Sequence, residues 1–279
     1  MRALWLNPVL VGLSLTAVFA ACLLGSTPLP VDRVFAALFG MGSEADQLVV
    51  WAIRLPRALA AFLVGAALGI SGAALQGLLR NPLAEPGVLG VSASAALTAT
   101  FALYFGLVAL GDWVLPLAAI IGALAATAII AFAAIRTQSV VTLILIGVGL
   151  SSFAGAMMSL LMNFAPNPFT LSDMVNWMLG SVANRSFQEI KYTAPVMLGG
   201  MAILFFSRRG LSALTLGEEA ASGIGLNLRN QRILTVLGAG LATGASVALA
   251  GAIGFVGIVA PHLIRPLVGH DPARSLIPS

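Results

Sequence analysis

Of the chain's 279 residues, 59% are apolar and only 9% are charged, where soluble chains carry about a quarter charged residues, so an ordinary soluble domain is excluded. The net charge of +4 comes from fourteen basic residues set at the ends of apolar runs, with no basic stripe interleaved with aromatics, so nucleic acid is not an expected partner. The one cysteine, Cys22, can form no internal disulfide.

The uncharged stretches are long: 22 residues between Arg57 and Arg80, 26 between Glu85 and Asp112, 23 between Asp112 and Arg136, and 36 between Arg136 and Asp173. About 20 apolar residues suffice for a membrane-spanning helix, and the alternating pattern of a membrane β-barrel is absent. The expected fold is therefore all-α: a polytopic membrane helix bundle of about eight spans, read as one transmembrane domain over 1–279. The first span covers about Asn7–Leu24; Arg2 and the small residues before Cys22 leave a cleaved signal peptide as its rival. The others are expected at about Ala58–Leu79, Gly87–Leu110, Trp113–Ile135, Val140–Met162, a short Tyr192–Ser207, Ile233–Ala250, and Ile253–Val268. The last two crowd into the 32 residues between Arg232 and Arg265, so one of them must be short or tilted. Pro166 and Pro168 stop the fifth helix, and Asp173–Gly180 is expected as a short helix at the outer surface. With the N-terminus in the cytoplasm, nine basic residues fall inside and five outside, which favours that orientation. The sizeable cytoplasmic element is then 208–232, expected to hold two short helices separated near Gly223–Gly225.

Several chemistries are missing. The one lysine, Lys191, lies outside any GxxxxGK[ST] loop, and His262 and His270 form no HExxH. No metal site or cofactor is expected. A serine such as Ser71 or Ser92 paired with His262 would suit an intramembrane hydrolase, but small residues at helix contacts account for those serines. No Asp or Glu lies inside a span, which argues against an ion-coupled secondary transporter, the alternative function. His262 and Arg265, one turn apart, are the remaining ionisable candidates for that role. If the protein pumps, its energy comes from a partner.

Gly65-Ala66-Ala67-Leu68-Gly69-Ile70-Ser71-Gly72-Ala73 echoes Gly244-Ala245-Ser246-Val247-Ala248-Leu249-Ala250-Gly251-Ala252, with four of nine positions identical. In the topology above the two segments run in opposite directions, as in inverted-repeat transporters.

Four segments together carry a family resemblance: Arg54-Leu55-Pro56-Arg57; the Gly-rich helix leading to Gln76 and Asn81-Pro82-Leu83-Ala84-Glu85-Pro86-Gly87-Val88-Leu89-Gly90-Val91-Ser92; Leu216-Gly217-Glu218-Glu219-Ala220-Ala221-Ser222-Gly223-Ile224-Gly225; and Gly251 through Ala260-Pro261-His262-Leu263-Ile264-Arg265. The chain resembles the FecCD-type permeases of bacterial ABC importers for iron–siderophores, haem and cobalamin. The resemblance implies ten spans, against the eight read here, so the family's last two are expected to be missing. It also implies two ATP-binding subunits, a second permease copy, a periplasmic substrate-binding protein and residence in the bacterial inner membrane, with ATP hydrolysis on a partner chain. Carried over residue by residue, it implies binding-protein docking at Arg54 and Arg57. A cytoplasmic gate follows at the Asn81–Leu83 elbow and the Thr137-Gln138-Ser139 turn, and ATPase coupling at Glu218, Ala221 and Gly225. Independently, Arg57 in the first turn of the second span would oppose the helix dipole, which points to a use other than stability.

Overall fold

The computed structural model describes residues 3–137, 139–269 and 271–279; Arg2, Gln138 and His270 lie outside the described residues. α1 (Ala3–Leu23) is followed by α2 (Val31–Leu38) and by α3 (Glu44–Leu48), which continues through a π-helical turn, Val49–Arg54, into α4 (Leu55–Leu79). After a 3-10 turn at Pro86–Leu89 come α5 (Val91–Tyr104), α6 (Val114–Arg136), α7 (Val140–Asn163) and α8 (Pro168–Leu179). The chain closes with α9 (Phe187–Ala213), α10 (Glu218–Gly223), α11 (Leu228–Ala250), α12 (Val256–Val268) and α13 (Pro272–Ser275). Among the described residues, six helices are long and apolar enough to cross a membrane, and two more, α5 and α12, are shorter apolar pieces. The structure is a helical membrane bundle.

α4 and α11 are the most deeply buried of the spanning helices, and α1 and α7 the least. Lipid tails are as apolar as leucine, so close backbone approach rather than burial of bulk drives such packing. The small residues supply that approach. A Cβ on Gly72 would strike the Gly257 carbonyl on α12, and one on Gly244 or Gly240 would strike Ala123 or Thr127 on α6. Gly200 on α9 lies equally close to Gly238 and Ala242 on α11. The two halves of the Gly-Ala-Ser echo thus both occupy the bundle centre, each followed by a short helix.

Several boundaries differ from the sequence reading. The third apolar piece, expected over Gly87–Leu110, is a helix of only 14 residues flanked by 3-10 turns. At 1.5 Å per residue it extends about 21 Å, short of the roughly 30 Å hydrocarbon core. The sixth span is not short: α9 has 27 residues. Its start is fixed upstream of Lys191 by a capping box, in which the Ser186 hydroxyl accepts from the Glu189 N–H and the Glu189 carboxylate accepts from the Ser186 N–H. At its far end the helix runs on through Arg208 and Arg209, with the Arg208 guanidinium 4.1 Å over the Phe205 ring of the same helix. For the same reason the inner loop contracts from 208–232 to the residues between α9 and α11. It holds one α-helix, α10, and not two, because the Asn227 side chain caps α11 and starts it at Leu228. The crowded last pair resolves as a full-length α11 of 23 residues and a 13-residue α12.

The helix expected over Asp173–Gly180 is longer, α8, and begins at Pro168, with Asn167 accepting from the Thr170 N–H. Its C-terminal end meets the end of α11, where the Ser181 N–H donates to the Ala250 carbonyl at 2.6 Å. Gly180 (φ +66) and Gly251 (φ +73) hold left-handed backbone there, and a Cβ on either would collide with the other loop.

Candidate functional site

Tracing the helices gives the bundle two ends. One carries the α1–α4 junction, α8 and the start of α9; the other carries the α4–α5 elbow, the α6–α7 turn and α10.

At the first end, Arg54 and Arg57 both turn toward the C-terminus of α1. Arg54 is 2% exposed, and its guanidinium donates to the carbonyls of Cys22 and Leu23 at 2.9 Å and to that of Thr27. Arg57, half-buried, donates to the carbonyls of Leu24 at 2.7 Å and Ala21 at 3.2 Å. The last carbonyls of a helix lack partners within the helix and form the negative end of its dipole, so cations are favoured there. The expectation that Arg57 opposes a dipole is corrected here. Because α3, the π-turn and α4 are continuous, no free N-terminus exists at Pro56, and the relevant helix end is that of α1. Of the two arginines, Arg57 alone keeps part of its surface free. Nearby, Arg33 and Asp46 form a two-point ion pair at 2.7 and 2.8 Å that fastens α2 to α3.

Also at this end, a cavity of about 470 Å³ lies beneath α8, lined in part by Asp173, Asn176, Trp177 and Arg185. The guanidinium of Arg185 stands over the Trp177 ring at 5.9 Å and pairs with Glu189 at 2.8 Å.

At the other end, the elbow after α4 is built by Asn81, whose side-chain carbonyl accepts from the Leu83 N–H at 2.9 Å. Leu83 itself is 70% exposed. In the second turn, the Thr137 hydroxyl accepts from the Ser139 N–H at 3.1 Å, and the Ser139 hydroxyl caps α7 by accepting from Thr142 N–H at 3.3 Å. Among the described residues, no hydrogen bond joins the two turns, although chain tracing puts both at the α10 end.

α10 sits between two arginines. Glu218, in its first turn, accepts from Arg232 on α11 at 2.9 Å and lies 3.8 Å from Arg80, the residue that closes α4. Ala221 is fully buried in the main apolar cluster. Gly225 has φ +92 and open space around it. The remaining face, with Leu216, Glu219, Ala220 and Ile224, is exposed. The short helix is therefore anchored by Glu218 and Ala221, and its opposite side is exposed, with the exposed Leu216 and Ile224 flanking its two ends.

Other connections had no assigned role in the sequence reading. The Gln76 amide donates to the Gly257 carbonyl at 3.1 Å, and its carbonyl accepts from Arg265, tying α4 to α12. Gln231 donates to the Ser207 carbonyl at 2.9 Å between α11 and α9. An amide inside an apolar run is itself a signal, since in lipid it must find a partner. His262 faces outward and hydrogen-bonds neither Ser71 nor Ser92 among the described residues, so no hydrolase pair is assembled. Among the described residues there is no cluster of His, Cys, Asp or Glu able to hold a metal ion.

Two short apolar helices in corresponding positions after the two central helices, with an anchored helix projecting from one end, define the membrane subunit of a transporter. The model of the FecCD transport family matches residues 13–279, and the chain belongs to that family. It is an ABC importer permease. It is 39% identical to the uncharacterized ABC transporter permease protein YvrB of Bacillus subtilis over 267 residues, covering 91% of this chain and 75% of the relative. It is 41% identical to the vitamin B12 import system permease protein BtuC of Klebsiella pneumoniae over 237 residues, covering 85% of this chain and 71% of the relative. A solved structure described as an inward-facing conformation of a metal-chelate type ABC transporter superposes with a TM-score of 0.85 at 30% identity, covering 97% of this chain and 85% of the other.

Proposed function

We propose that this permease carries a metal chelate, with iron–siderophore as the first choice and haem and cobalamin as the other members of the class, across the bacterial inner membrane. The work comes from two separate ATP-binding subunits that grip the exposed edge of α10 in the cytoplasm. The chain works beside a second permease copy and beneath a periplasmic substrate-binding protein. The N-terminus is cytoplasmic in this reading, which puts α10 inside and α8 outside.

The observation that carries the reading is α10: a six-residue helix fixed from within by Glu218 and Ala221, exposed on its other side and flanked by the exposed Leu216 and Ile224. A helix held on one side and bare on the other suits a partner that pushes on it. Membership of a family with a B12 permease and a metal-chelate neighbour supports the cargo class. Both of those cargoes are bulky multidentate complexes of a transition metal.

Gating is assigned to the two inner turns at Asn81, Leu83, Thr137 and Ser139, and coupling to Glu218, Ala221 and Gly225. Docking of the binding protein is assigned to Arg57, with Arg54 holding the surface that presents it. Glu218→Lys tests the coupling assignment: ATP hydrolysis should continue while uptake of ferric siderophore, haem or cyanocobalamin is lost. Unchanged uptake per ATP in that variant would refute it.

A further inference from the structure

We propose that Arg80 is the residue through which α10 moves the gate-bearing end of α4, with Glu218 as the shared anchor; the inference rests on the reading that a partner ATPase drives α10. Glu218 has two cationic neighbours of different character. Arg232 is 5% exposed and contacts it at 2.9 Å; Arg80 is half exposed and stands at 3.8 Å, the limit of an ion pair. The buried contact fixes Glu218 to α11. The open one makes and breaks with a small displacement, because it has both the room and the solvent to do so.

The backbone of Arg80 adds an independent observation. It closes α4 in the left-handed conformation, φ 49 and ψ 35. Glycine is the usual occupant of such a position, and a bulky residue there is strained. Strain at a charged residue points to a use for its side chain. The position is mechanically direct. The Arg80 and Asn81 N–H groups both donate to the Gln76 carbonyl, and Asn81-Pro82 is the elbow itself. The Gln76 side chain in turn holds Gly257 and Arg265 on α12. A shift of Glu218 is thus passed to the elbow within one residue and to α12 within about one helical turn. The two-state element is the α4 end, engaged with α10 or released from it.

The test uses the assembled transporter, permease with its ATP-hydrolysing subunits in liposomes. Spin labels replace Leu83 and the outward-facing Ile129 on α6, and their separation is measured with and without ATP and vanadate. Arg80→Gly relieves the backbone strain but removes the charge, so a purely structural role for Arg80 predicts an equal or more stable protein with normal movement. The relay predicts equal or greater stability with the nucleotide-driven movement cut about fivefold, the scale of one residue in a coupling network. Arg80→Lys should preserve the movement. The double variant Arg80→Gly, Glu218→Gln should lose no more than Glu218→Gln alone. Normal movement in Arg80→Gly overturns the relay and leaves the ATPase-driven reading intact. An unsubstituted complex in which Leu83 does not respond to nucleotide overturns that reading, and the relay with it.

Discussion

Replacing Arg54 by alanine removes a guanidinium that satisfies two carbonyls at the end of α1 and that of Thr27 in the loop after it. The Cys22 carbonyl belongs to a residue 1% exposed, where water does not easily substitute; Thr27 is exposed and can be rehydrated. A hydrogen bond from a charged donor contributes about 1.5–3 kcal/mol, and an orphaned buried acceptor costs about 1–3 kcal/mol. With one carbonyl fully orphaned and one partly so, about 3 kcal/mol of local stability is lost at the α1–α4 junction. The chain carries its own reporter there, since Cys22 is its sole cysteine and is buried. If maleimide reacts through local opening, 3 kcal/mol raises the labelling rate by roughly a hundredfold. Arg57→Ala, at a partly exposed site, should change the rate by about tenfold at most while weakening binding-protein docking. Cys22 labelling at the parent rate in Arg54→Ala would refute the assigned role of Arg54.

Gly72→Leu drives a side chain into the Gly257 backbone and should destabilise the α4–α12 contact by about 3 kcal/mol or prevent folding, read as loss of monodisperse protein in detergent. Gln76→Leu strands Arg265 and frees the Gly257 carbonyl; a loss of about 2 kcal/mol is expected in a detergent unfolding titration, and unchanged stability would contradict it. Ser139→Ala removes the α7 cap at a cost of about 1 kcal/mol, visible as faster protease cleavage at the α6–α7 turn. A topology reporter fused after Asp112 should behave as periplasmic; cytoplasmic behaviour would reverse the orientation.

Charge spacing located every apolar helix because a bilayer tolerates so few ions, and the crowding between Arg232 and Arg265 implied that one of the last two would be short or tilted without saying that it is α12. The spacing misjudged α9, since it treated Lys191, Arg208 and Arg209 as boundaries. The helix instead runs through all three cations, and the Arg208 guanidinium lies over the Phe205 ring of the same helix. It also drew the third piece over Gly87–Leu110, longer than α5, because hydropathy does not register the 3-10 turns on either side of that helix. Asn81, Thr137 and Ser139 were legible as turn residues, their short polar side chains bonding the backbone two or three residues on. The burial of Arg54 was not legible, because its partners are backbone carbonyls about 30 positions upstream, and carbonyls leave no trace in residue identity. The same holds for the ring of Arg80, Glu218 and Arg232. Three charges far apart in sequence meet only once α4, α10 and α11 are folded.

The central claim is that this helical bundle contains no motor and takes its work from an ATPase bound at α10. The most direct measurement is uptake of labelled metal chelate into liposomes holding the permease with or without its ATP-binding subunits, at equal proton and sodium gradients. The account predicts uphill accumulation only when both the subunits and ATP are present; accumulation by the permease alone, driven by either gradient, would contradict it.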